Sequence, residues 1–152
     1  MSRRNISKKR FPKPDDIYNS FLVSLIISKI LKSGKKNLAK KIIYKAFDII
    51  RIKTNKNPLI IFEKAVKKTS PLIEIKSRKI GGSINKVPTE IDGFRSINLS
   101  LRWIIKHSKE KTGRSMAIKL ANEIIDSSNN IGKTIKKKEE LHKTAEANKA
   151  FV

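Results

Sequence analysis

Along most of this chain apolar residues return every three or four positions, the rhythm of amphipathic helices, and only residues 72–91 break it. Phe21, Leu22, Leu25, Ile26 and Ile30 predict a largely buried first helix, entered through Asp15 or Asp16 as N-cap and stopped near Gly34. Leu38, Ile42 and Ile49 beside Ala39, Ile43, Phe47 and Ile50 predict a second, flanked by Lys36, Lys40 and Lys41. A third starts at Asn57-Pro58, an N-cap followed by proline at the first helical position, and ends before Pro71. Ile97, Leu101, Ile104 and Ile105 stripe a fourth, with Leu99 and Trp103 flanking and Arg102 and Lys106 on the other side. After the turn at residues 111–114, Met116, Ala117, Leu120, Ala121, Ile124 and Ile125 give a fifth helix, closed near Gly132. The last, Thr134 to Ala150, has only a thin stripe of Ile135, Leu141, Ala145 and Phe151.

Between the third and fourth helices the period falls to two. Ile73 and Ile75 alternate with Glu74 and Lys76, and Val87, Thr89 and Ile91 alternate on the return, with Gly81-Gly82 supplying the positive φ of a tight hairpin turn. The pattern predicts a mainly α fold: a six-helix, bundle-like body with one protruding two-stranded β-hairpin at about residues 72–91. One face of the ribbon lies on the core, and its outer face and tip carry Lys76, Arg78, Lys79 and Lys86. Residues 1–14 form a basic flexible arm, and residues 15–152 a single helical domain.

Charge turns this architecture into a functional statement. Lys and Arg number 36 against 13 Asp and Glu, a formal net charge of +23. That excess exceeds what solubility requires and points to a polyanionic partner. Residues 1–14 contribute +6 and residues 133–152 contribute +3, which leaves +14 on residues 15–132, so a folded surface is itself basic. Lys35-Lys36, Lys40-Lys41, Lys67-Lys68 and Lys136-Lys137-Lys138 have few anions at helical spacing to offset them, as phosphate contact demands. The arm, with Arg3, Arg4, Lys8, Lys9, Arg10 and Lys13 broken by Pro12 and Pro14, orders only on a partner. Its acid-free start also has the composition of an organelle presequence, but lacks an apolar helical face.

Catalytic chemistry finds no assembly. The chain has no cysteine, which removes disulfides and thiolate metal sites. His107 and His142 have no neighbouring nucleophile, and Glu139 with His142 is half of a di-metal motif whose second copy is missing. Gly81-Gly82 is a turn, since Lys86 follows inside a strand and opens no helix as a phosphate loop requires. Trp103 has the spacing of a core-edge residue or a base-stacking one, and Met116 that of a packing residue. Phe21 to Leu31, the most apolar stretch, is interrupted by Ser24, Ser28 and Lys29 and is shorter than the ~20 residues that span a bilayer. No enzyme, cofactor, metal, small-molecule substrate or membrane partner is expected.

Several runs, in order, resemble a known family. These are Lys-Ser-Arg-Lys-Ile-Gly-Gly-Ser at 76–83 with Val87-Pro88, Leu-Arg-Trp-Ile at 101–104, Ser-Met-Ala-Ile-Lys-Leu-Ala-Asn-Glu at 115–123, and the Lys136 to Phe151 run. They resemble ribosomal small-subunit protein seven in its bacterial and organellar form, over essentially the whole chain. The opening Met-Ser-Arg-Arg and Lys9-Arg10-Phe-Pro-Lys-Pro-Asp15 look most like the plastid branch. The resemblance implies a structural constituent of the small subunit that binds the 3′ major (head) domain of its rRNA and nucleates head assembly. It also implies a ribbon extended toward exit-site tRNA and mRNA beside ribosomal protein eleven. On that pattern Arg3, Arg4, Lys8, Lys9 and Arg10 thread along RNA. Lys35, Lys36, Arg95, Arg102, Arg114, Met116, Lys136, Lys137, Lys138 and His142 line the docking surface, and Lys76, Arg78, Lys79, Gly81, Gly82 and Lys86 form the tRNA- and mRNA-facing ribbon.

Two departures stand out. Ile84-Asn85-Lys86 replaces the family's usual polar residue and aromatic or histidine beyond the Gly-Gly-Ser, and the chain stops at Phe151-Val152 where relatives continue. Lys outnumbers Arg 28 to 8 and Ile occurs 25 times, a bias that fits an AT-rich genome: a plastid, with the ribosome in the stroma, or the cytoplasm of an AT-rich bacterium. The alternative reading is a general nucleic-acid-binding, nucleoid-like architectural protein, whose minor-groove wedge belongs at a ribbon tip; here Pro88 lies well down the return strand.

Overall fold

The computed structural model describes residues 12–80 and 82–148. Six helices and one hairpin follow in the order α1 (Phe21–Ile30), α2 (Lys36–Thr54), α3 (Pro58–Thr69), β1 (Ile73–Ile80), β2 (Ser83–Glu90), α4 (Gly93–Glu110), α5 (Met116–Ser128) and α6 (Lys133–Ala147). This is the expected mainly α fold, with the hairpin between α3 and α4. The end of the expected last helix, with Phe151, lies outside the described residues, as do the arm residues Arg3, Arg4, Lys8, Lys9 and Arg10 and the turn residue Gly81.

Helix α5 is the axis of the body, packed against α2, α3 and α4. Its apolar face alternates small and large residues, Ala117, Leu120, Ala121 and Ile124, all buried, so neighbouring backbones approach closely. Around it, Val23, Leu25, Ile26 and Ile27 of α1, Ile43, Phe47 and Ile50 of α2, Phe62 and Val66 of α3 and Leu101 and Ile104 of α4 complete one core. Phe47 is its aromatic centre, 5.6 Å from the Phe62 ring and 5.0 Å, edge-on, from that of Tyr18. Leu38, counted in the α2 stripe from its spacing, is instead 54% exposed, in the first turn of its helix. No helix among the described residues is long and apolar enough to cross a membrane.

Local signals explain most boundaries. Asn57 caps α3 by accepting from Leu59 N at 3.0 Å, with Pro58 at the first helical position. Ser115 caps α5. The entrance to α1 differs from expectation: Ser20 holds the N-cap position, while Asp15 caps the turn ahead of it, accepting from Ile17 N and Tyr18 N. The reason is a tertiary bond. Tyr44 Oη donates to Asp15 Oδ1 at 2.9 Å, which ties the incoming chain to α2 and draws Asp15 off the helix end. Burial, with that bond to Asp15, pushes the Tyr44 phenol up to about 12.

The hairpin register corrects a second expectation. Ile73 pairs with Glu90, Ile75 with Pro88, Lys76 with Val87, Arg78 with Asn85 and Lys79 with Ile84. Directly opposed residues share a face, so the Ile73/Ile75 run and the Val87/Thr89 run fall on opposite faces. The cations divide as well, Lys76 and Arg78 on the Val87 face, Lys79 and Lys86 on the other. A two-residue loop, with Gly82 at φ +89°, fixes this register, and the alternation within each strand could not reveal it. The face set on the body is the one bearing buried Val87 and buried Glu74.

Truncating Phe47 to Ala should lower unfolding free energy by about 3–5 kcal/mol, the usual cost of removing a buried ring. Leu38→Ala, at an exposed site, should stay within about 0.5 kcal/mol of the parent. Urea titration followed by helical circular dichroism distinguishes the two, and equal costs would mean that the core is misassigned.

Candidate nucleic-acid interface

Helix α4 organises the basic surface. Arg95, Arg102, Lys106 and Lys109 are all exposed, and their spacing of seven, four and three places them on one face. From Arg95 to Lys109 that stripe runs about 21 Å at 1.5 Å per residue. Its upper end meets the ribbon root, where Arg95 Nε bonds Glu74 Oε2 at 2.7 Å. The lower end opens into a groove of about 340 Å³ floored by Ile30, Leu38, Ala39, Ile42 and Met116 and rimmed by Lys32, Lys35 and Lys109. Arg114 stands exposed in the α4–α5 turn, two residues before Met116.

Residues far apart in sequence are thereby joined. Lys35 and Met116 share one groove, and Arg102 sits midway between it and the ribbon. Lys36 is exposed at the start of α2 and faces a second hollow of about 420 Å³, lined also by Pro12, Lys13 and Lys40, where the N-terminal segment meets α1 and α2. Lys40 is partly spent there, 2.5 Å from Asp16, whose carboxyl it holds below the usual range.

Helix α6 divides its candidates. Lys136 and Lys137 are exposed, the latter 3.2 Å from Glu140. Lys138 and His142 turn inward instead. Lys138 Nζ donates to Lys68 O at 2.7 Å, and His142 Nε2 accepts from Leu72 N at 3.4 Å, so both clamp the chain where it enters the ribbon. Glu139 is exposed, and among the described residues no group of three or more His, Cys, Asp or Glu is placed to hold a metal.

On the ribbon, Lys76, Arg78, Lys79 and Lys86 are exposed, with Gly82 in the turn. Lys76 lies 3.3 Å from Glu74, and the Arg95 hydrogen bond, with help from Lys76, holds the Glu74 carboxyl below its usual range. Trp103 is half-buried at the edge of the α4 stripe, and Met116 is half-buried against the core. Sequence reading passed over Lys32, Lys106 and Lys109 as contact residues, since none belongs to a run. The heptad step from Arg95 through Arg102 to Lys109, with Lys106 one turn beyond Arg102, is the signal that could have found the two on α4.

A buried polar chain supports this surface from beneath. Glu123 of α5 is fully buried and accepts from Thr134 Oγ1 at 2.6 Å; Lys111 Nζ lies 2.8 Å from its other oxygen and also pairs with Asp126. Burial alone would depress Lys111, but its bonds to Asp126 and Glu123 carry it above the usual lysine value. Because the Thr134 hydroxyl donates to Glu123, it accepts from His107 Nδ1 at 3.1 Å. The chain joins the end of α4, the middle of α5 and the start of α6, and so sets how the Arg114 turn and the Lys136–Lys137 face stand against the α4 stripe.

Comparison with known proteins adds an independent finding. The profile described as ribosomal protein S7p/S5e matches residues 2–149. The small ribosomal subunit protein uS7c of Trieres chinensis is 64% identical over 143 residues, covering 94% of this chain and 90% of that protein. Small ribosomal subunit protein uS7 of Acaryochloris marina is 51% identical and that of Thermosynechococcus vestitus 48% identical, each over 151 residues, 99% of this chain and 97% of theirs.

Burial lowers the His107 pKa below its ordinary 6.5, against smaller upward pulls from Glu110 and Glu123. A histidine neutral in the fold but protonated when unfolded makes the unfolded state bind more protons. Stability should therefore be full above about pH 7 and fall as pH drops through the unfolded value near 6.5. Urea midpoints between pH 7.5 and 5.5 should show the fall and His107→Gln should flatten it; an identical slope in both would assign the effect elsewhere.

Proposed function

Since the chain belongs to the ribosomal protein S7p/S5e family, we propose that the α4 stripe, the adjoining groove and the exposed cations of α6 are the surface by which it docks on the 3′ major domain of small-subunit rRNA. The protein is a structural constituent of the small ribosomal subunit and binds its rRNA. The observation that carries the choice of surface is Arg102, Lys106 and Lys109 exposed along one helix face, with Lys32 and Lys35 across the groove. Such a track neutralises phosphates that close packing of an RNA junction forces together. Recognition is then by shape, through phosphates, 2′-hydroxyls and unstacked bases, because an A-form groove hides its base edges. The role in this reading is to nucleate the subunit head, holding RNA helices in one geometry.

The ribbon, in the same reading, extends beyond the docking surface toward exit-site tRNA and mRNA beside ribosomal protein eleven. Supporting it is the division of cations between its two faces and its projection from the root clamped by α4 and α6. Arg3, Arg4, Lys8, Lys9 and Arg10 add further RNA contacts in this reading. The 64% identity to a protein named uS7c supports a ribosome of the plastid, in its stroma.

With roughly 6–10 phosphates neutralised, affinity for a transcript of the 3′ major domain should fall on the order of a thousand-fold or more between 50 and 200 mM salt. Binding to that transcript should survive scrambled RNA and duplex DNA as competitors; equal competition by all three would leave a generic polyanion binder. Reversing Arg102 and Lys106 to Glu should weaken docking at least tenfold. Reversing Arg78 and Lys79 should leave docking within about twofold while lowering occupancy of exit-site tRNA on reconstituted subunits. Loss of docking from the ribbon pair would show that the ribbon belongs to the rRNA surface.

A further inference from the structure

Among the described residues the ribbon is a two-stranded sheet, and it meets the body through α6, which packs against both strands, and through the bonds at its root. Backbone ahead of β1 is held tightly: Ser96 Oγ donates to Pro71 O at 2.6 Å, His142 accepts from Leu72 N, and Lys138 donates to Lys68 O. Those bonds fix where the ribbon begins. By themselves they do not set its tilt, because a hairpin anchored at its first residue can still pivot about that point across α6. Tilt requires a grip further along a strand, and among the described residues the strand side chain hydrogen-bonded to the body is Glu74, through Arg95 in the first turn of α4.

We propose that Arg95 is a positioning residue: through Glu74 it sets the angle at which the ribbon leaves the body, instead of binding a phosphate as its charge and place suggest. The proposal rests on the reading of the ribbon as a probe of tRNA and mRNA, for which a fixed angle matters. Glu74 is 8% exposed although it belongs to a projecting ribbon, and a carboxylate at that depth needs a cation close by. Lys76, on the same face, lies at 3.3 Å and is carried by the ribbon itself, so it can neutralise Glu74 without tying it to anything. Arg95 alone of the two bridges ribbon and helix. Its Nε hydrogen bond commits one edge of the guanidinium to Glu74, and losing that bond would leave Glu74 with the one partner that moves with it. Val87, buried at 5% exposure, lies on the same face of the return strand as Glu74 does on the first.

Because the chain has no cysteine, nitroxide pairs can be placed freely. Ile84→Cys near the ribbon tip and Ile52→Cys on α2 are 74% and 76% exposed, and double electron–electron resonance between them reads ribbon tilt in the free full-length protein. Arg95→Gln and Glu74→Gln should each broaden the distance distribution by a similar amount, and the double variant no further, since one shared interaction is lost in all three. In parallel, the Arg95→Gln salt slope for binding the 3′ major domain transcript should match the parent, whereas loss of a phosphate contact would reduce it by about one. An unchanged distribution in either single variant, additive broadening in the double, or the reduced slope would each overturn the proposal. The resonance measurement contains no RNA, so its outcome is independent of whether the rRNA assignment holds.

Discussion

Mutual repulsion among cations is the constraint under which this fold is built. A net charge of +23 on 152 residues would spread the chain if the helical core did not hold it, and several of its 13 anions lie where segments meet. Asp15 ties the incoming chain to α2 through Tyr44, Asp16 pairs with Lys40, Glu74 joins ribbon to α4, and Glu123 joins α4, α5 and α6. The joints are thus neutralised from within, and the outward faces keep their positive charge for a polyanion.

This division has a mechanical side. Salt bridges on open surface contribute little to stability, but a carboxylate with no access to water must keep its partner. Glu123 fits the second description, and its network fixes three helices that bear the turn with Arg114 and the exposed lysines of α6. The long lysine and arginine side chains are thus carried on helices whose junction is held by buried bonds.

The sequence made the helices legible because each buries a stripe at the period of its own backbone. Asn57-Pro58 announced α3, and the glycine pair announced the hairpin. What it could not show depends on distance in space. Asp15 has the chemistry of an N-cap, and only the Tyr44 hydroxyl, twenty-nine residues on, directs it to another task. Strand alternation shows which residues share a face within a strand, never how two strands are aligned. Lys138 and His142 look like members of a basic RNA-facing run until the backbone atoms of Lys68 and Leu72 are found beside them. Most of the candidate surface was readable as clustered charge; the track along α4 emerged from single residues at heptad spacing, which a search for runs overlooks.

The two-residue turn has a consequence for how the ribbon can change. Because opposed residues share a face and neighbours alternate, one residue added within a single strand exchanges faces along the part of that strand beyond it. Removing one residue from each strand keeps the pairing but turns everything beyond the cut to the opposite side. The reach of the ribbon can therefore be altered, with its two charged faces intact, only by four residues at a time, two per strand, each step moving the tip by about 7 Å. Its length is quantised, while the loops between the helices have no such arithmetic to obey.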